Sequence, residues 1–327
     1  VKVPFLTAVD LYKLGRPLYD APDDTVFVYE QHIETVIRAK LDALERIPDH
    51  SLTCLDDDLP GLTAALWRIA GRVAGEHPAH ATIAGDGFRS RMLGVRVGRD
   101  GALSYDADKA ALPELGAAVY SYLGTLNGVW RLAAGLLLSV QEDLVVMRNT
   151  AGTAHGDEAE ALLVALPTHW NPSEKLGQSF GGIHIPVGDN KRLLAAHPRL
   201  MNAMLEKGPF VRYSWSLSSV ADLCQNPVLL NKAHSMGDPA LLDLPPRDLI
   251  GRLFFRVERQ TILALPDLRR SLFAIGAYQR PLADVAREPG KAAQLADAVA
   301  SMSTAQRAYK SLDVIGGKLV AALRAFA

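Results

Sequence analysis

The hydropathy pattern changes period near residue 141, and that change constrains the fold more than any other feature of the chain. Before it, apolar side chains recur at helical spacing over residues 25–47, 59–75 and 112–140, each stretch bounded by Pro, Gly or Asp. Residues 1–140 therefore read as a mainly helical region. One interruption, 92–105, alternates around Asp100-Gly101 and predicts a hairpin. After Gln141-Glu142-Asp143 the grammar becomes that of strands: 144–147 and 162–166, joined by a polar loop rich in Gly, Thr and Asp. A helical and irregular stretch covers 172–207, with a helix over 191–205 that stops at Lys207-Gly208-Pro209. Runs at 210–217, 253–265 and 271–279 read as three further strands.

The order strand, strand, helices, strand, strand, strand predicts an α+β unit over 141–285, in which helices enclose a pocket against an antiparallel sheet. PAS-like domains share that order of elements. Residues 286–327 are expected to form a C-terminal helical extension, and 1–140 to pack on the core.

Charge bounds the partners. With 35 basic and 36 acidic side chains the net charge is -1, so no global field recruits nucleic acid or an anionic membrane, and a small partner is expected. Cys54 and Cys224 are too few for a disulfide framework, a four-cysteine iron-sulfur cluster or a structural zinc site. They read as reduced thiols. The longest apolar run, 132–140, is shorter than the ~20 residues a bilayer span requires. No signal-peptide pattern opens the sequence, so a soluble cytoplasmic protein is expected.

Unusual residue types concentrate between Thr168 and His184, with His169, Trp170 and glycines that let backbone approach a ligand closely. A neutral imidazole ligates iron when its other ring nitrogen has an acceptor. By residue type alone, His184 reads first as a hydrogen-bonded core histidine. Gly177-Gln178-Ser179-Phe180-Gly181 matches the G-x-S-x-G nucleophile elbow, with His197 or His234 as the base. The elbow needs a strand before the serine and a helix after it, and here the context is reversed.

Two strand runs carry polar faces. Alternation groups Arg212, Ser214 and Ser216 on one side of the first, and Arg256, Glu258 and Gln260 on one side of another. Such faces usually meet water, and alternation does not say whether these line a pocket instead. His77-Pro78-Ala79-His80 lacks the i, i+4 spacing of a zinc pair, and Gly316-Gly317-Lys318 lacks the rest of a P-loop. No C-x-x-C-H is present for covalent haem attachment.

Several blocks, in order, resemble one family. They are Gln141-Glu142-Asp143-Leu144, Trp170-Asn171-Pro172 with Lys175-Leu176-Gly177, and Ile183-His184-Ile185-Pro186-Val187. Arg212 with Trp215 follows, then Phe255-Arg256-Val257-Glu258-Arg259-Gln260-Thr261 with Leu265-Pro266. Together they look like the haem-binding alpha subunit of the haem-dependent oxidative N-demethylases, a dimethylamine-monooxygenase-like family. The string Arg-Val-Glu-Arg-Gln-Thr is the most specific element. Residues 278–282 and Tyr309-Lys310 extend the match, which covers most of the chain from about residue 140 onward and, more loosely, the helical part before it.

The resemblance implies a haem b in a PAS-like fold, with His184 as the axial iron ligand. It implies a distal pocket where Arg212, Arg256, Glu258 and Gln260 meet a small secondary amine and dioxygen. Trp215 would lie at the cofactor, with Lys175 and Arg259 as candidate partners of its propionates. The implied reaction is oxidative N-demethylation to a shorter amine and formaldehyde. Electrons would come from NADPH through a separate flavin and iron-sulfur reductase. The sequence departs from the family's Pro-Val-Pro at Pro186-Val187-Gly188, and from its Arg-x-Asn-Trp at Arg212-Tyr213-Ser214-Trp215. Exchange of an amide for a hydroxyl at Ser214 changes the hydrogen-bonding inventory and puts the substrate in doubt. A haem-based gas sensor or binding module, or a diverged oxidase of another nitrogen compound, are the alternative readings.

Overall fold

In the computed structural model, residues 5, 11–15, 24–150, 156–230 and 236–326 are described. Among them, eleven strands form two antiparallel sheets. The strands are β1 (Tyr12–Lys13), β2 (Leu52–Cys54), β3 (Ala81–Ala84), β4 (Gly87–Ser90), β5 (Val95–Gly98) and β6 (Leu103–Tyr105). The second half of the chain adds β7 (Asp143–Asn149), β8 (Asp157–Leu163), β9 (Phe210–Ser218), β10 (Phe254–Leu265) and β11 (Arg270–Pro281). The larger sheet has the order β1-β9-β10-β11-β7-β8-β2, and the smaller the order β3-β4-β5-β6.

The longest pairing is between β10 and β11, from Phe254 opposite Pro281 to Leu265 opposite Arg270. β11 then pairs with β7, which returns the end of the sheet to its first long strand. Directly opposed residues share a face, so the register defines two surfaces. On the first, Arg212, Ser214 and Ser216 oppose Gln260, Glu258 and Arg256. Ile275 opposes both Gln260 and Asp143, and Val145 opposes both Phe273 and Leu162, so the surface grows apolar towards β8.

The second surface carries Leu144, Val146, Leu163, Leu272 and Ala274, in one apolar cluster with residues of the helices Ile33–Arg46 and Leu59–Glu76. The first is partly covered by the helix Lys191–Glu206, whose Leu193, Met201 and Met204 cluster with Val145, Met147 and Ile262. C-terminal helices Lys291–Ala300 and Gly316–Phe326 close a separate core with Leu217, Leu249 and Leu253. Among the described residues no helix is long and apolar enough to cross a membrane.

Three sequence expectations shift. The strand expected at 162–166 starts earlier, at Asp157. Its acidic opening hides it from a hydropathy reading, because Asp157 and Glu160 are buried against His197 and Arg270. The region before residue 141 is not only helical, since the hairpin read at 92–105 is half of a four-stranded sheet. Its other strands, β3 and β4, are four residues each, too short for alternation to declare itself. Residues 25–32 precede their helix rather than join it, because their backbone is bound elsewhere. Val26 N donates to Glu76, and Val26 O accepts from Arg259 Nη1 at 3.0 Å and Thr261 Oγ1 at 2.9 Å.

Arg270 makes a two-pronged bond to Glu160, Nε to Oε2 and Nη2 to Oε1, both 2.6 Å. Glu160 is 1% exposed. Removing the guanidinium leaves this buried carboxylate only Arg148, at 3.7 Å, so Arg270→Ala is expected to lose about 3 kcal/mol of stability, read from the urea midpoint.

Candidate functional site

Where the helix Lys191–Glu206 does not reach, the polar end of the first surface faces a cavity of ≈ 460 Å³. Cofactor and small-molecule pockets commonly fall between about 300 and 1,000 Å³. Its lining is apolar at Val145, Met147, Phe180, Ile183 and Phe273 and polar at Thr168, Ser214, Ser216, Glu258 and Gln260. The charged strand face therefore points inward.

His184 lines the cavity directly after the short helix Phe180–Ile183. Its Nδ1 lies 2.7 Å from Phe180 O. A carbonyl only accepts, so Nδ1 carries the proton and Nε2 keeps its lone pair. Nε2 has no hydrogen-bond partner among the described residues. Burial pushes the imidazole pKa down to about 4, against the opposing pull of the Phe180 carbonyl, so the ring is neutral at pH 7.

The supporting turn is itself fixed. Asp157 Oδ2 accepts from Phe180 N at 2.6 Å, and Asp157 Oδ1 lies 2.8 Å from His197 Nε2. Gly181 is required beside them, since a Cβ there would stand 2.8 Å from His197 Nδ1.

The same turn explains the G-x-S-x-G string. Ser179 Oγ accepts from Gly182 N at 3.0 Å and caps the short helix. It makes no bond to His197 among the described residues, and His234 lies outside them. A hydrolytic nucleophile has no geometric support here.

Across the cavity, Glu258 is held at both oxygens, by Thr168 Oγ1 at 2.5 Å and Gln260 Nε2 at 2.7 Å. Arg256, with no exposed surface, stands behind that arrangement and does not line the cavity. Its Nε donates to Thr168 Oγ1 at 2.7 Å, Nη1 to Leu223 O at 2.9 Å and Nη2 to Leu166 O at 2.7 Å. Burial lowers its pKa, opposed by the charges of Glu258 and Asp143. Arg212 stands opposite Gln260 on the same face, and its charge acts on His184 without the residue itself lining the cavity.

Of the expected cofactor contacts, Lys175 and Trp215 line the cavity with His184. The Lys175 ammonium group makes no hydrogen bond or ion pair among the described residues, which leaves it open to a ligand. Arg259 is not brought there. Alternation puts it on the opposite face, where it donates to Val26 O and Thr25 O, 4.0 Å from Glu142. Asp143, Thr168 and Lys310 also line the cavity, and residue type alone gave no reason to single them out.

The family described as haem-dependent oxidative N-demethylase, alpha subunit-like, matches residues 131–320, more than half of the chain. The chain belongs to that family. No curated protein matches it. Every lining residue of the cavity, from Asp143 to Ser311, falls inside the span matched to this N-demethylase-like family.

Thr168 is the joint between Arg256 and Glu258. Thr168→Val should cost about 1–3 kcal/mol by leaving a buried donor and an acceptor unpaired, whereas Thr168→Ser should restore most of it, both read from denaturant midpoints.

Proposed function

We propose that this chain is the haem-binding, oxygen-activating subunit of an oxidative N-demethylase, with His184 Nε2 as the iron ligand. The observation that carries this reading is the neutral imidazole. Its proton is committed to Phe180 O, its other nitrogen has no partner among the described residues, and it shares the lining of a large cavity with a polar strand face. One nitrogen suits a metal that brings its other ligands with it, as a porphyrin does. Among the described residues no group of three or more His, Cys, Asp or Glu forms a metal cage, in keeping with that donor set.

The rest of the cavity fits haem b. Val145, Met147, Phe180, Ile183 and Phe273 offer apolar surface to the ring, and the open ammonium group of Lys175 suits a propionate. The strand order β8-β7-β11-β10-β9 reads 2-1-5-4-3 in chain order among the long strands, which supports the PAS-like reading of the core.

Haem held there would supply dioxygen reduction and oxygen insertion into an N-methyl C–H bond. The protein's own share is orientation and charge. Glu258 receives an N–H of the protonated amine and sets the methyl group towards the cavity centre. Thr168 and Gln260 keep that carboxylate in one geometry, and Arg256 acts through Thr168 as a positioning residue. Arg212 adds positive charge on the same side.

The overall balance is R–NH–CH3 + O2 + 2 e⁻ + 2 H⁺ → R–NH2 + HCHO + H2O. The electrons come from outside this pocket, for which an NADPH-dependent reductase with flavin and iron-sulfur groups is the natural source. The amine and dioxygen are the small partners.

Purified protein mixed with haem should show a Soret band, and His184→Ala should lose or shift it; an unchanged band would remove His184 as ligand. Glu258→Gln should keep the band yet weaken binding of a secondary amine by about tenfold or more, followed by spectral titration and by formaldehyde release.

A further inference from the structure

The cavity wall that carries Ser214 and Trp215 also holds Lys310, at the C-terminal end of the short helix Thr304–Tyr309. Its ammonium group sits in an uncharged cradle. Nζ donates to Trp215 O at 2.6 Å and lies 5.3 Å from the Trp215 ring and 5.1 Å from the Phe5 ring. Aromatic faces and a carbonyl hold a cation, but they bring no counter-charge.

No carboxylate among the described residues forms an ion pair with it. Glu258 is near enough for its charge to act on Lys310 but forms no ion pair with it, and its oxygens accept from Thr168 and Gln260. Arg212 adds a second positive charge to the same neighbourhood. Burial lowers the Lys310 pKa to about 8, opposed by the charge of Glu258 and reinforced by that of Arg212.

One N–H of Nζ is engaged by Trp215 O, which leaves two donors at a cavity wall. An occupant that puts an anionic oxygen there would satisfy them and pair with the Lys310 charge. We propose that Lys310 binds a carboxylate of whatever fills this cavity. Building on the function proposed above, that carboxylate has two sources: a propionate of haem, or the carboxylate of an N-methyl amino acid that offers its ammonium end to Glu258.

The test compares wild type, Lys310→Met and Lys310→Arg as haem-loaded proteins. Haem loss is followed by transfer to an apoglobin, and amine binding by spectral titration with N-methylglycine and with dimethylamine. If the carboxylate is a propionate, Lys310→Met sheds haem about tenfold faster and Lys310→Arg does not. If it belongs to the substrate, haem loss is unchanged and N-methylglycine binds Lys310→Met about tenfold more weakly while dimethylamine binds as before.

No change in either measurement, or equal weakening for both amines, overturns the proposal. Lys310→Gln, which keeps the bond to Trp215 O without the charge, serves if Lys310→Met does not fold. Should wild type take up no haem, the haem reading fails by itself. Calorimetric titration of the haem-free proteins with N-methylglycine then decides for Lys310: weaker binding by the variant supports the role, and equal or no binding refutes it.

Discussion

Arg256 is a guanidinium without exposed surface, and the pocket depends on how its charge is satisfied. A buried cation is costly unless its donors are filled and an anion is close. Here the donors reach Leu166 O, Thr168 Oγ1 and Leu223 O, three points on two segments that do not belong to the sheet. Those segments are thereby pulled over β10. Lys40, equally without exposed surface, performs the same task from the other side. Its Nζ donates to Leu137 O, Val140 O and Glu142 O and stands 3.4 Å from Asp143 Oδ1, while Asp143 Oδ2 accepts from Leu166 N. The chain at 166–168 is thus gripped at both ends, and Thr168 inherits a fixed position from which it can hold Glu258.

A sheet buried on both faces needs two different kinds of cover. Consecutive residues point to opposite faces, and Glu142 and Asp143 divide accordingly. Asp143 serves the cavity side. Glu142 serves the other, where Oε1 accepts from Val28 N at 2.9 Å and burial, partly offset by Arg259, raises its pKa to about 7. That bond and those from Arg259 and Thr261 lay residues 25–28 along the outer face. On the inner face the covering helix supplies no residue to the lining where Ser214, Ser216, Glu258 and Gln260 lie. The gap it leaves is the cavity, so a missing stretch of helix, as much as any residue, creates the site.

Period-two patterns made the long strands legible, since their apolar residues alternate on both faces. What alternation withheld was the cover. Arg256 and Arg259 are charged residues three apart in one strand, and alternation puts them on opposite faces without saying what covers either face. Only the packing shows that one braces the pocket wall while the other anchors the N-terminal segment on the far side. Asp157 misled in a similar way, because an acidic strand start reads as loop until its partners, Phe180 N and His197, are in place. The G-x-S-x-G string was visible and its chemistry was not. A helix cap at Ser179 and a close approach at Gly181 produce the same letters as a nucleophile elbow.

The glycine at position 188 has a physical reason that leads back to the cavity. A Cβ at this position would lie 2.5 Å from Ala305 O and 2.7 Å from Gln306 N, backbone atoms that cannot move aside separately. The adjacent Asp189 fastens the same contact, with Oδ2 accepting from Ser303 Oγ at 2.7 Å. The loop after His184 and the helix Thr304–Tyr309 therefore meet backbone to backbone. Tyr309 and Lys310 stand at the end of that helix, in the cavity wall. A proline at 188 would hold the helix away, and Lys310 with it. Glycine at this one place and a lysine in the pocket are thus two sides of one arrangement, which ties the loop that carries His184 to the wall that faces the occupant.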